Sequence, residues 1–302
     1  MIQVILQALV YVSFIALGFI LRKTKFLGPE AFPVISKIVI KVTLPCALFS
    51  TFLNKEIDTT MLLIVGLGFG TNALLLLTAN LLHLRKSAEE RAFAVLNVGT
   101  FNVGTFTLPF LQSFFGGTAV AVGGLFEVGN GFYSTGGSLT VAQMIRDKQG
   151  FSPLRIIKGL LRSIPFLANV AGICVAYFHI PIPGPMAQFT TIIGNANPFL
   201  AMFTLGVGFH LETDREHMGK LVKILGIRYA VCAALAVFFF TCMPFDLLIR
   251  KALVLLCFGP LSSPIPAYAE ELKMDSGLAS AIDSVSVLVS TVFMIVLLTI
   301  MV

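Results

Sequence analysis

Glu127, Asn130, Ser134 and Thr135 stand at the same spacing as Asp283, Ser286, Ser290 and Thr291, and both runs lie inside otherwise apolar segments. An ionised carboxylate near the middle of a bilayer costs about 2.5–3.5 kcal/mol even on the lenient insertion scale. Glu127 and Asp283 are therefore candidates for ion coupling, as proton carriers or as ligands of a coupling Na⁺. Asn130 and Ser286, one turn on, are grouped with them. The structural alternative is an internal ion pair or a buried hydrogen bond. Polarity duplicated within apolar segments is how many secondary transporters are built.

A second constellation pairs helix breakers with small polar groups: Asn102, Gly104, Thr105, Thr107 and Pro109 in one half, and Gly259, Pro260, Ser262, Ser263, Pro264 and Pro266 in the other. Proline within a helix removes a donor and frees an upstream carbonyl. In lipid, freed backbone groups survive only where protein or a water-filled cavity satisfies them. Two such interruptions meeting near the bilayer midplane would present positive helix N-termini to an anion and unwound carbonyls to a cation. Asn102, Thr105, Pro109, Ser262, Ser263 and Pro264 are the expected substrate-binding residues. Lys41 and Asn197, beside Pro45 and Pro198, join them. Hydrogen bonding between helices is the ordinary alternative for such hydroxyls and amides, and it is preferred for Asn97. Helix capping is preferred for Asn195 and for Asn197 in its local setting.

The elements that position these residues follow from composition. Of 302 residues, 57% are apolar and 12% charged, against about 45–50% and about 25% in soluble domains. An all-α polytopic membrane protein is expected. The net charge of +6 is no sign of nucleic-acid binding, because in such a chain its position decides its meaning. Cys46, Cys174, Cys232, Cys242 and Cys257 are scattered singly; free, buried thiols are expected, with neither a zinc site nor a disulfide framework. Residues 2–21 lack a basic leader and read as a retained first helix.

At about 20 apolar residues per crossing, ten spans emerge: 2–21, 32–53, 61–84, 92–115, 119–145, 164–178, 185–211, 221–242, 252–269 and 277–302. Residues 154–162, ahead of the short sixth span, are amphipathic and can lie along the interface. Lys and Arg cluster after spans one, three, five, seven and nine; Lys55, Arg250 and Lys251 are the exceptions. The positive-inside rule puts those loops in the cytoplasm and both termini outside. Lys37 is expected to snorkel, Lys41 to meet Glu127 or an anionic substrate, and Arg228 to face the bundle. Since five is odd, residues 1–145 and 164–302 form two inverted five-helix repeats, joined by a basic linker at 146–163. Spans four and nine are broken and cross. No GxxxxGK[ST] loop occurs, and Gly66, Gly68 and Gly70 look like packing positions. No enzyme is expected: His83, His179, His210 and His217 fall at span ends or in loops, and no HExxH or paired Ser/His occurs.

The run from Asn102 through Gly104 to Pro109, then Phe115-Gly116, resembles the fourth-helix signature of the auxin efflux carrier family in its short bacterial form, which includes malate and malonate permeases. The stretches from His179 to Gly208 and from Ala267 to Thr291 are similar to that family's sixth-to-seventh and ninth-to-tenth helix passages. Thr107 and Asp283 depart from its usual pattern. The resemblance implies ten helices in inverted repeats, a scaffold of helices one, two, six and seven that is often a homodimer, and a moving domain of the rest. Bile-acid sodium symporters share that architecture by fold analogy, which keeps Na⁺ beside H⁺ as the coupling ion, with Asn102 and Glu127 nearest a cation.

The expected function is secondary active transport of a small organic anion across the cell membrane by alternating access, with a dicarboxylate such as malate or malonate favoured. The alternatives are efflux of auxin-like monocarboxylic acids and, from another class, a channel or non-transporting sensor. Neither a cofactor beyond the coupling ion nor a nucleic-acid partner is expected.

Overall fold

The computed structural model describes residues 2–53, 59–147, 153–209 and 215–301; Lys55, Lys148 and His210 lie outside them. The chain is helical, with no strand among the described residues. Its α-helices are α1 (Ile2–Lys23), α2 (Ala31–Ile38), α3 (Leu44–Phe52), α4 (Thr59–Leu82), α5 (Ala88–Val98), α6 (Leu108–Phe132), α7 (Ser138–Asp147), α8 (Pro153–Arg162), α9 (Ile164–Tyr177), α10 (Gly184–Asn195), α11 (Asn197–Val207), α12 (Arg215–Cys242), α13 (Leu247–Cys257), α14 (Ile265–Glu271) and α15 (Ser276–Met301). Wider π-type turns at Val39–Thr43, Val103–Thr107 and Tyr133–Gly137 join α2 to α3, lead into α6, and join α6 to α7. Five helical stretches are long and apolar enough to cross a membrane, or six if the bent pair α8–α9 counts as one. Side chains such as Leu77, Phe189, Val237, Val292 and Ile300 are exposed. Exposed apolar faces on long apolar helices belong to a multi-pass membrane protein, whose solvent there is lipid.

Glycines set the closest packing. Gly18 of α1 and Gly206 of α11 each lie against the other helix's backbone, where a Cβ would collide with the Phe203 and Ile15 carbonyl oxygens. Gly68 of α4 and Gly129 of α6 make the same contact with Phe126 and Val65. Small residues at such crossings let backbones approach and gain van der Waals contact, which drives association in lipid. Gly66 and Gly70 have open space around them, so of the three glycines expected to pack, Gly68 alone does.

Several sequence expectations are corrected. The fourth span stops at Val98, ahead of Asn102; Thr100 then adopts φ 65°, a left-handed conformation that a non-glycine residue enters only at a cost. Pro109 sits in the first turn of α6, where its missing N–H leaves no bond unmade. The fourth and fifth spans run into one helix kinked at Gly116, φ 73°. The seventh breaks at Ala196, yet neither Asn195 nor Asn197 caps it: Asn197 Oδ1 accepts from Thr43 Oγ1 at 3.1 Å. Asn97 bonds within its own helix, to the Phe93 carbonyl at 2.9 Å. Of the free cysteines, Cys232 and Cys257 are buried, whereas Cys174 and Cys242 are exposed. His83 sits buried just past α4, His179 in a turn and His217 in the first turn of α12.

Candidate functional site

Two helices stop inside the bundle and leave carbonyls without intrahelical partners. After α5 the chain runs through Gly99–Asn102, and after α13 through residues 258–264, before helix resumes. The two interruptions are bonded to each other. The Asn102 N–H donates to the Pro260 carbonyl at 2.9 Å, and Asn102 Nδ2 donates to Ser263 Oγ at 3.0 Å. Asn102 Oδ1 accepts from the Thr105 N–H at 3.3 Å and from its hydroxyl, so the same side chain caps the helix that restarts at Val103. A Cβ on Gly259 would press on Thr107 Oγ1, which brings Thr107 against the second interruption.

Arg228 of α12 closes the other side of this junction. Its guanidinium is wholly buried and donates to four carbonyls: Val98 at 2.6 Å and Gly99 at 3.2 Å through one nitrogen, Gly259 at 2.9 Å and Pro260 at 3.2 Å through the other. Its Cζ lies 4.6 Å from the centre of the Phe101 ring, a distance at which the ring's π face attracts a cation. The carbonyls at a helix C-terminus carry the negative end of its dipole. One buried cation thus serves the C-terminal ends of both α5 and α13. Sequence reasoning turned Arg228 toward the bundle but assigned it no site; the signal was a lone guanidinium in an apolar helix of a chain with two sets of freed carbonyls.

The duplicated polar pattern holds the interruptions in place. Asn130 Oδ1 accepts from the Phe101 N–H at 2.9 Å while its Nδ2 donates to the Phe101 carbonyl at 2.8 Å and to Glu127 Oε2 at 2.7 Å. In the other half Ser286 Oγ accepts from the Leu261 N–H at 3.0 Å and donates to the Asp283 carbonyl at 2.7 Å. Asn130 and Ser286, grouped with ion coupling by spacing, therefore each supply a backbone bond to the broken segment of their own half. Ser290 shares a hydrogen bond with the Tyr229 hydroxyl at 2.8 Å, and the Ser134 carbonyl accepts from the Tyr268 hydroxyl at 2.8 Å.

A cavity of about 520 Å³ adjoins the junction, walled by α2 and the π turn at Val39, by α11, and by α15. Thr105, Ser263, Pro264 and Asp283 line it, with Ser36 and Thr204 opposite. Asp283 Oδ1 is buried without a hydrogen-bond partner among the described residues. Ser262, next to Ser263 in sequence, is buried. The remaining expected substrate residues are elsewhere: Lys41 is exposed, Asn197 is bonded to Thr43, and Pro109 is buried within α6. Lys41 does not meet Glu127, whose carboxylate is held by Asn130. No group of His, Cys, Asp and Glu among the described residues could hold a metal ion.

Long apolar helices with two interruptions bonded together in their interior are a membrane-embedded binding architecture. Residues 4–146 match the family model described as membrane transport protein, so the chain is a membrane transporter. That match supports the auxin efflux carrier family, which the motifs of the chain resemble. No curated protein matches the chain.

Proposed function

We propose that the chain is a secondary active carrier of a small organic anion, a dicarboxylate such as malate or malonate, working by alternating access in the cell membrane. Residues 1–145 and 164–302 act as inverted five-helix repeats with both termini outside. Helices of the first, second, sixth and seventh spans make a scaffold, which pairs in a homodimer, and the rest move as a unit.

The observation that carries this reading is the sorting of charge at the junction. Arg228 takes up the carbonyl ends of α5 and α13. The opposite, N–H-bearing end of the helix that restarts at Val103 is left toward the cavity through Thr105. The positive dipole end favours an anion there. Ser263 adds a hydroxyl donor on the cavity wall, positioned by Asn102, whose Oδ1 already holds the Thr105 N–H and hydroxyl. Asp283 explains the coupling. A carboxylate on the cavity wall repels an arriving anion by about 4 kcal/mol at 4 Å with an effective dielectric of 20. A proton or Na⁺ arriving with the substrate cancels that repulsion, so the two move together. Glu127, bonded to Asn130 behind the interruption, is the second cation position.

The test is counterflow in proteoliposomes with malate, malonate and an indole acid, each with and without Na⁺ and a pH gradient. Saturable exchange of a dicarboxylate supports the reading. Single-channel currents without saturation would move the protein to the channel class, and preferential exchange of the indole acid would make it an auxin-type carrier. In the same assay Asp283→Asn and Glu127→Gln should alter the dependence on pH or Na⁺ more than substrate affinity. Unaltered dependence in both variants removes the coupling role.

A further inference from the structure

α8 is left unused by the transport reading. Its inner side is packed: Ile156 is 1% exposed, and Gly159 lies so close to the Thr135 carbonyl that a side chain would not fit. Arg155 donates to Gln143 Oε1 at 2.6 Å and pairs with Glu271, which clips α8 to the middle of α7 and the end of α14. At Ser163 the chain bends by 79° into α9. If α9 crosses the bilayer, α8 lies nearly in the plane of its surface.

The outer side is not packed. Leu154, Ile157 and Leu161 are 60%, 50% and 62% exposed and follow one another at helical spacing. Lys158 and Arg162 are exposed too, and at about 100° per residue they form a stripe roughly 100° round the helix from those three. The helix therefore shows an apolar stripe and a cationic stripe side by side, next to a membrane-crossing element. We infer that α8 is a docking surface for anionic phospholipid, with the headgroup phosphate between Lys158 and Arg162 and the acyl chains over Leu154, Ile157 and Leu161. Apolar contact supplies depth, and attraction to the anionic leaflet supplies selectivity among headgroups. Arg155 contributes little to that selectivity, since Glu271 already neutralises it. The inference rests on the membrane reading, though on no substrate or coupling ion.

The chain has no tryptophan, so Leu161→Trp creates a single fluorescent reporter on this face, and Leu154→Trp supplies a second should the first fail to fold. The full-length reporter protein is placed in nanodiscs containing brominated phosphatidylglycerol or brominated phosphatidylcholine at equal fractions. Stronger quenching by the anionic lipid is expected. Adding Lys158→Gln and Arg162→Gln should lower that preference about thirtyfold, two charges at roughly 1 kcal/mol each. Equal quenching by the two lipids in the parent reporter, or emission as red as that of tryptophan in water, overturns the proposal. Because no transport is read, failure of the carrier reading leaves this result unaffected.

Discussion

Arg228→Leu should leave the protein unable to transport and markedly less stable in detergent. The substitution keeps the helix apolar but strips donors from Val98, Gly99, Gly259 and Pro260, all at the buried ends of interrupted helices. A buried carbonyl left without a donor costs about 1–3 kcal/mol, and bonds to a charged donor are the stronger ones to lose. Some relief comes from the Asn102 N–H, which already reaches the Pro260 carbonyl. Arg228→Lys separates charge from geometry. An ammonium restores the cation but is a point charge that cannot fork across two pairs of carbonyls. It should recover part of the thermal stability while transport stays at least about tenfold below normal, a difference of about 1.4 kcal/mol in the barrier. Thermal unfolding followed in parallel with counterflow checks both. A Leu variant with an unchanged unfolding midpoint would mean that these carbonyls do not depend on Arg228.

Asn102→Ala is the complementary case, with a large effect on transport and a small one on folding. Its backbone bond to Pro260 survives the substitution. What disappears is the bond to Ser263 and the cap, made to the Thr105 N–H, on the helix that restarts at Val103. Losing a cap costs about 0.5–2 kcal/mol, within what a bundle of this size tolerates. Yet the lost side chain is the one that spaces the two interruptions and orients Ser263 and Thr105 on the cavity wall. Counterflow should fall by more than about tenfold, since a small displacement of positioning groups carries large kinetic penalties. Ser263→Ala, which loses a single partner, should be milder. Near-normal exchange by Asn102→Ala at equal expression would refute its placement in the site.

Much of the site was legible because breakers and polar residues are conspicuous in an apolar background. Gly259, Pro260 and Pro264 mark their interruption in any membrane helix, and Asn102 marks the edge of the other. The matched spacing of Glu127 with Asn130 and of Asp283 with Ser286 was visible as well. Its structural use was not, because a spacing along one helix does not say which backbone lies opposite. Lys41 and Asn197 show the same limit. A helix that is apolar nearly all round has no polar face to reveal its orientation, so Lys41 could be placed by depth but not by direction. It is exposed, and Asn197 is engaged by Thr43.

Composition, hydropathy and repeated polarity, all properties of the chain taken in order, determined by themselves that this is a multi-pass helical membrane protein with two interrupted segments. That follows because lipid admits so few backbone solutions. Only the tertiary structure decided that one guanidinium serves both interruptions, that Asn130 and Ser286 grip the broken backbones, and that Asp283 faces the cavity while Glu127 is held behind it. Those outcomes depend on which helices adjoin and how each is rotated about its axis, and packing sets both.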